Sequence, residues 1–362
     1  MIIFGNCTRS VDIGAAIERI IATMAGRETD SMATRKSKAP GRDLPIESTD
    51  LNVKTAWLYY VEGFTQEQIA EKLNVNRVKV MRTLAACTAE GIVVTTINAS
   101  TSGQVALERA LEQRWGLTTA VVVPTPTVDS NLEKAIGHAV AAYLGRQMQD
   151  GMTLAIGGGA TLHASLAFLA RRQLKGASVI ALVGSLPHSQ WVNPSIVAAK
   201  VADVFGVDSY QITAPVTVDD PALRELLWAQ PALQDVRRRA SMADIALLTV
   251  GDVSADATVF RHGIVPASLI PSLKAQGAVA NILCYFVDAN GKLVDHEVNR
   301  RVMAIDLPLV GSVPNVVLAA GGKRKVPAIL AALKAVDAKV LITDSDTAAM
   351  LVAKAPTPNR NL

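Results

Sequence analysis

Six short stretches of this chain are made almost wholly of apolar residues: 120–124, 152–156, 178–183, 245–250, 316–320 and 340–343. Small or polar residues follow five of them: Gly157-Gly158-Gly159, Gly184-Ser185, Gly251-Asp252, Gly321-Gly322 and Asp344. Strands that are apolar on both faces belong to a parallel sheet covered by helices, and the intervening segments 132–148 and 160–169 have helical spacing. In such open sheets the ligand crevice lies at the C-terminal ends of the strands. Residues 278–286 and 292–298, with a turn at 288–291, predict an antiparallel excursion from that plan. Residues 105–115 predict a helix leading into the first strand.

The pattern before residue 100 is different. Thr65 is a good N-cap with Gln68 placed for a capping box, and Ile69 and Leu73 form one apolar stripe. Asn74-Val75-Asn76 is a short polar break around one apolar residue. A second helix is predicted from about Asn76 to Ala89, with Val78, Met81, Leu84 and Ala85 facing the first. Residues 53–63 supply a third helix, and the β-branched stretch 91–97 has the character of a wing. The chain therefore divides into an N-terminal extension (1–50), a winged helix-turn-helix (51–98), a linker and connecting helix (99–118), an α/β domain (119–354) and a tail (355–362). Within the extension, residues 32–50 are polar, basic and marked by Pro and Gly, which reads as disorder, whereas a weak amphipathic helix is expected near Ile13–Met24. Met32 is favoured as the true start over a genuine regulatory arm ahead of it.

Composition narrows this picture. A length of 362 residues fits about two domains. Half the residues are hydrophobic but only 4% are aromatic, so the core is aliphatic. A net charge of +4 is too small for the whole surface to attract a polyanion. The positive charge is local: Lys72, Arg77, Lys79 and Arg82 occur with no carboxylate between Glu71 and Glu90. A basic helix after a short turn can enter a major groove and read base edges. The competing reading, a structural bundle with a solvated cationic face, leaves the wing and the absence of acids unexplained. Cys7, Cys87 and Cys284 are widely spaced and offer no metal-ligand spacing and no even-numbered disulfide framework, which suits a reducing cytoplasm. No run of 18 apolar residues predicts a membrane span, and the first residues do not resemble a signal peptide.

The candidate chemistry sits at strand ends. Gly157-Gly158-Gly159 and Thr161 open a helix, where free N–H groups attract an anion; a plain tight turn is the alternative. The spacing is neither G-x-G-x-x-G nor a P-loop, so no nucleotide cofactor is expected. Lys323, Arg324 and Lys325 follow a second glycine turn and could pair with a phosphate. Asp288, Asp306, Asp344 and Asp346 could accept sugar hydroxyls; Asp344 directly follows a buried strand, whereas Asp288 precedes Ala-Asn-Gly and has the makings of a turn-former. The five histidines are scattered, no G-x-S-x-G elbow occurs, and no nucleophile–base set stands out, so no catalytic or metal residue is assigned.

The segments 56–75 (AWLYYVEGFTQEQIAEKLNV), 277–291 (GAVANILCYFVDANG), 319–329 (AAGGKRKVPAI) and 341–344 (LITD) resemble the SorC family of sugar-binding transcriptional regulators. The resemblance covers about residues 51–354, and the Trp-Leu-Tyr-Tyr helix is most similar to regulators of polyol catabolism of the erythritol type. It implies a winged-helix reader of double-stranded operator DNA joined to a Rossmann-like effector domain related to sugar-phosphate isomerases. It also implies a homo-tetramer built from dimers, and a sugar, polyol or sugar-phosphate effector at the strand ends. The expected DNA contacts are Thr65, Gln66, Asn76, Arg77, Lys79 and Arg82. The expected effector contacts are Gly157, Gly158, Gly159, Thr161, Ser185, Asn193, Asp288 and Lys325. Family members commonly carry a hydroxyl residue where Ala160 stands and a glycine where Ala280 stands. The first departure leaves room for an unphosphorylated polyol. Asn76-Arg77-Val78-Lys79 replaces the commoner Ser-Arg-x-x-Val-Ser pattern, so the operator sequence is not transferable. The rival from another class is a sugar-phosphate isomerase-like enzyme with a fused reader.

Overall fold

The computed structural model describes residues 48–93, 102–187 and 193–354. The expected N-terminal extension up to residue 47, most of the expected wing (94–97), part of the expected hinge (99–101) and the tail lie outside the described residues.

Helices α1 (Ser48–Tyr60), α2 (Gln66–Lys72) and α3 (Arg77–Ala89) come first among the described residues. Thr65 caps α2 in a complete capping box: Gln68 N donates to its hydroxyl, and Thr65 N donates to Gln68 Oε1 at 2.9 Å. Asn74 ends that helix in the left-handed region at φ 51°, a role asparagine fills readily. Asn76 then caps α3, its Oδ1 accepting from Lys79 N at 2.7 Å. Leu58, Ile69, Ala70, Val80 and Leu84 form a small core, with Phe64, Leu73 and Val75 against it.

The expected inward face of α3 is corrected by the structure. Val78 and Met81 are 51% and 52% exposed, and Ala85 is exposed too; only Leu84 of the four is buried. The inward stripe is Val80, Thr83, Leu84 and Cys87. At about 100° per residue these four lie on one side and Val78, Met81, Arg82 and Ala85 on the other. The true stripe contains a threonine and a cysteine, so it was the less apolar of two possible faces.

Among the described residues nine strands follow: β1 (Thr119–Val123), β2 (Thr153–Ile156), β3 (Ser178–Ala181), β4 (Asp208–Tyr210), β5 (Ile245–Leu248), β6 (Ala280–Ile282), β7 (Tyr285–Val287), β8 (Asn315–Ala319) and β9 (Val340–Asp344). Seven make one parallel sheet in the order β1-β9-β8-β5-β2-β3-β4. The six strands expected from the sequence are all in it; β4, short and largely exposed, carries no apolar signature. Alternate residues feed two cores, one per face. Ala246 and Leu248 of β5 join one cluster, and Ile245 and Leu247 join the other. Strands β6 and β7 pair antiparallel as a separate ribbon.

Helix α4 (Ser102–Trp115) seals the β1 edge of the sheet. Glu108 and Glu112 accept the Val122 and Ala120 N–H groups, each at 2.9 Å, and Gln104 donates to Val122 O at 3.1 Å. Spacing of four along the helix matches spacing of two along the strand. This satisfies an edge that would otherwise be a template for pairing with another chain. Among the described residues no helix is long and apolar enough to cross a membrane.

Candidate functional site

Strand order reverses between β2 and β5. From β2 the chain builds outward through β3 and β4, then returns to place β5, β8 and β9 on the other side. A crevice at that switch point, at the C-terminal strand ends, is where open α/β sheets bind ligands. A cavity of about 300 Å³ occupies it, within the size range of small-molecule sites.

The β2 end supplies Gly158, Gly159 and Thr161, at the start of the short helix Ala160–Ser165. Gly159 has φ 114°, and a Cβ there would meet Thr249 Oγ1 at 2.9 Å, so this turn requires glycine. Thr249, at the β5 end, donates from Oγ1 to Gly158 O at 2.8 Å, locking the two loops together. The β8 end supplies Arg324 and Lys325, and Arg261 joins them from the segment after β5.

These cations differ. Arg324 lies 2.8 Å from Asp252 Oδ2 and 2.9 Å from Asp256 Oδ2, an arginine already held by acids. Lys325 is half-buried, and among the described residues no carboxylate lies within ion-pair distance of it. Burial pushes its ammonium below the ordinary value of 10.5, against the pull of Glu133 and Asp252. A desolvated, unpaired cation facing a cavity is a group that gains from an anion.

The opposite wall is the tip of the β6–β7 ribbon. Ile282 pairs with Tyr285, so Leu283 and Cys284 form a two-residue turn, with φ 50° and 68°. Two left-handed residues in a two-residue loop define a type I′ turn, which normally takes Asn or Gly. Both side chains line the cavity, and Leu283 Cδ2 would lie 3.0 Å from a Cβ on Gly157. Burial raises the Cys284 thiol to about 12, so it acts as an apolar wall and not as a nucleophile. The turn expected at 288–291 is a second turn, and the hairpin turn itself leaves no mark in the sequence because it lacks turn-forming residues.

The expected effector residues separate accordingly. Gly158, Gly159, Thr161 and Lys325 line the cavity, and Gly157 sits directly behind them. Ser185 and Asn193 lie on the neighbouring loop, with their side chains engaged inside it. Asp288 does not line the cavity: its Oδ1 accepts from Asn290 N at 2.8 Å and Lys292 N at 2.9 Å, which makes it the turn-former its context indicated. Asp344 is also structural. Its two oxygens accept from Thr125 Oγ1, Gly322 N, Thr347 N and Thr347 Oγ1. Burial alone would raise its carboxyl; these donors outweigh burial and hold it below the usual range. It fixes the Gly321-Gly322 turn that presents Lys325. Glu133, Thr249, Arg261 and Asn281 line the cavity without having been singled out, although Thr249 lies in the apolar run 245–250 and Asn281 in the segment 277–291.

Among the expected DNA contacts, Thr65, Asn76, Arg77, Lys79 and Arg82 are exposed and Gln66 is half-buried. The side-chain oxygens of Thr65 and Asn76 are taken up by capping. Arg77 Nη1 lies 2.9 Å from Glu67 Oε1.

The sugar-binding domain family (Sugar-bind) matches residues 99–353 of this chain. The chain is 29% identical over 306 residues to the erythritol catabolism regulatory protein EryD of Brucella abortus, covering 84% of this chain and 96% of that protein. It is 31% identical over 322 residues to the transcriptional regulator LsrR of Klebsiella pneumoniae, covering 86% and 95% respectively. The fold is shared with the full-length sorbitol operon regulator SorC from Klebsiella pneumoniae, at a TM-score of 0.64 and 24% identity over 84% of this chain and 98% of that one.

Proposed function

The chain belongs to the SorC family of sugar-binding transcriptional regulators, and from that premise we propose that α3 reads operator DNA while the strand-end cavity holds a small phosphorylated sugar or polyol that changes operator affinity. It is a sugar-responsive regulator and not an enzyme, as its relatives are. The observation that carries the effector reading is Lys325. It is half-buried and unpaired among the described residues, and it faces the same cavity as the Gly158–Gly159 backbone. A phosphate placed there relieves the desolvated cation and accepts from the loop's N–H groups.

For DNA, the outward side of α3 presents Arg82 with Val78, Met81 and Ala85 between Arg77 and Lys79. Such a face suits a major groove: cations for phosphates and guanine edges, apolar groups for thymine methyls. Thr65 and Gln66 at the start of α2 face the backbone in this reading, and Asn76 sets the start of the reading helix. The working assembly is a tetramer of paired dimers, and effector coupling of about 1–3 kcal/mol between sites is enough for a switch.

The test is operator binding by fluorescence anisotropy, with and without phosphorylated tetroses and pentoses, for the natural chain and Lys325→Ala. The substitution should weaken effector binding by about 10- to 100-fold, the worth of a charge-assisted bond. It should leave operator affinity without effector unchanged. An effector that binds the variant as tightly would place the anion elsewhere.

A further inference from the structure

The helix Ser345–Lys354 has both of its ends closed by side chains of other elements. A helix leaves its first N–H groups and its last carbonyls without intrahelical partners. At its start, Asp346 N donates to Thr125 Oγ1 at 2.9 Å and Thr347 N to Asp344 Oδ1 at 3.1 Å. At its end, Trp115 Nε1 donates to Leu351 O at 3.2 Å and Arg114 Nη1 to Val352 O at 2.9 Å. Arg114 and Trp115 are the last two residues of α4, the helix that follows the reader in the chain. A guanidinium at this position also meets the negative end of the helix dipole.

The start of the same helix is joined to the cavity. Thr347 Oγ1 donates to Asp344 Oδ2 at 2.6 Å and accepts from Gly322 N at 2.8 Å. Lys323 Nζ lies 2.9 Å from Asp346 Oδ2. Gly322 O in turn accepts from Lys325 N at 2.9 Å. The turn that carries Lys325 to the cavity is therefore tied to the first turn of this helix. Along its length, Ala348 and Leu351 are fully buried and share an apolar cluster with Leu111 of α4, and the two helices pack on one another. Ten residues make a rod about 15 Å long. A close-packed rod capped at both ends shifts as a body, because neither end can move without breaking its caps.

We propose that the helix Ser345–Lys354 is the coupling strut between the effector cavity and the reader. An anion drawn to Lys325 shifts the 322–325 turn, and the strut carries that shift to α4. This rests on the reading that an anion binds at Lys325. Arg114 and Trp115 are positioning residues for the response: they touch neither ligand and act through the strut.

The test is amide hydrogen exchange of the full chain, with inorganic phosphate as the probe. Amides whose opening breaks the anion site slow by one plus the ratio of ligand to its dissociation constant. Phosphate at ten times that constant should therefore slow them about tenfold. The strut predicts that slowing at 322–326, 345–354 and 106–116, and none around β4 at the far edge of the sheet. Trp115→Phe removes one cap. It should keep the slowing at 322–326 and cut it at 106–116 to below about twofold. Arg114→Met, at an exposed position, is the second variant and should act the same way. Were these caps for stability alone, their loss would speed exchange by the same factor with and without phosphate. Such a result would overturn the strut. Slowing confined to 322–326 in the natural chain, or spread evenly over the whole chain, would also overturn it while the anion site stands. Slowing that is absent everywhere, or that survives in Lys325→Ala, would overturn both readings.

Discussion

The two sets of cations on this chain live in opposite surroundings. Arg77, Lys79 and Arg82 stand in water on a helix that rests on a core of five buried side chains. Lys325 stands half-buried on a turn fixed by Asp344, at the end of a sheet buried on both faces. Charges of the first kind cost little to maintain, are screened by salt, and matter only summed along a polyanion. A charge of the second kind is costly while unpaired, so one small anion can repay it in full. The same residue class is thus set up for two partners, one extended and one compact.

The sharpest way to break this comparison is salt. Arg82→Ala should cost operator binding about 1–3 kcal/mol, or about 10- to 100-fold, if Arg82 touches a base, and should reduce the salt slope by about one unit if it touches a phosphate. Effector binding by the same variant should be unchanged. Across a salt titration of the natural chain, operator affinity should fall steeply and effector affinity much less. Parallel slopes for the two ligands, measured by anisotropy and calorimetry, would remove the distinction.

A smaller effect should appear with pH. The Lys325 ammonium is held below 10.5 in the free chain because burial disfavours its charge. A bound phosphate favours the charged form and raises that value. The sign follows: above pH 7 effector affinity is full while Lys325 is protonated. It falls as pH rises through the depressed value, starting before 10.5 and approaching a tenfold loss per pH unit beyond it. Lys325→Arg stays charged throughout and should flatten the profile. A natural-chain profile that stays flat up to pH 10.5 would mean the lysine is not at the anion.

How legible each region was follows from the same physics. Strands buried on both faces announce themselves as apolar runs, so six of the seven sheet strands and the glycine ends of four of them were readable, and with them Gly158, Gly159 and Lys325. The cap at Thr65 was readable because a capping box needs two residues at fixed spacing. The face of α3 was not, because a small core can be sealed by Thr83 and Cys87 as well as by plain aliphatics. The Leu283-Cys284 turn was hidden because its residues do not advertise positive φ. Asp344 looked like a ligand contact because sequence shows that an acid follows a strand, not that four donors already surround it. The sealing of β1 by Gln104, Glu108 and Glu112 had a visible spacing of four, but its partners are backbone groups.

The smallest effect tests the exposed set most closely. Arg77 pairs with Glu67 while both side chains are about two-thirds exposed, at 65% and 69%. Such a pair contributes below about 1 kcal/mol to stability, and Glu67 adds a similarly small interaction with the N-terminus of α2. Glu67→Gln removes both, so the melting transition should shift only slightly downward. The operator should respond in the other direction. Arg77 no longer has to leave a carboxylate to meet a phosphate, and one negative charge leaves the surface that approaches DNA. A gain of about two- to fivefold in operator affinity is expected, matching a pair worth about 0.5–1 kcal/mol. The gain should be largest at low salt and fade as screening grows, because both the lost pair and the new contact are in water. Were operator affinity unchanged at every salt concentration while the small loss of stability appeared, Arg77 would be a surface partner of α2 alone, and the reading face of α3 would centre on Arg82 and its apolar neighbours.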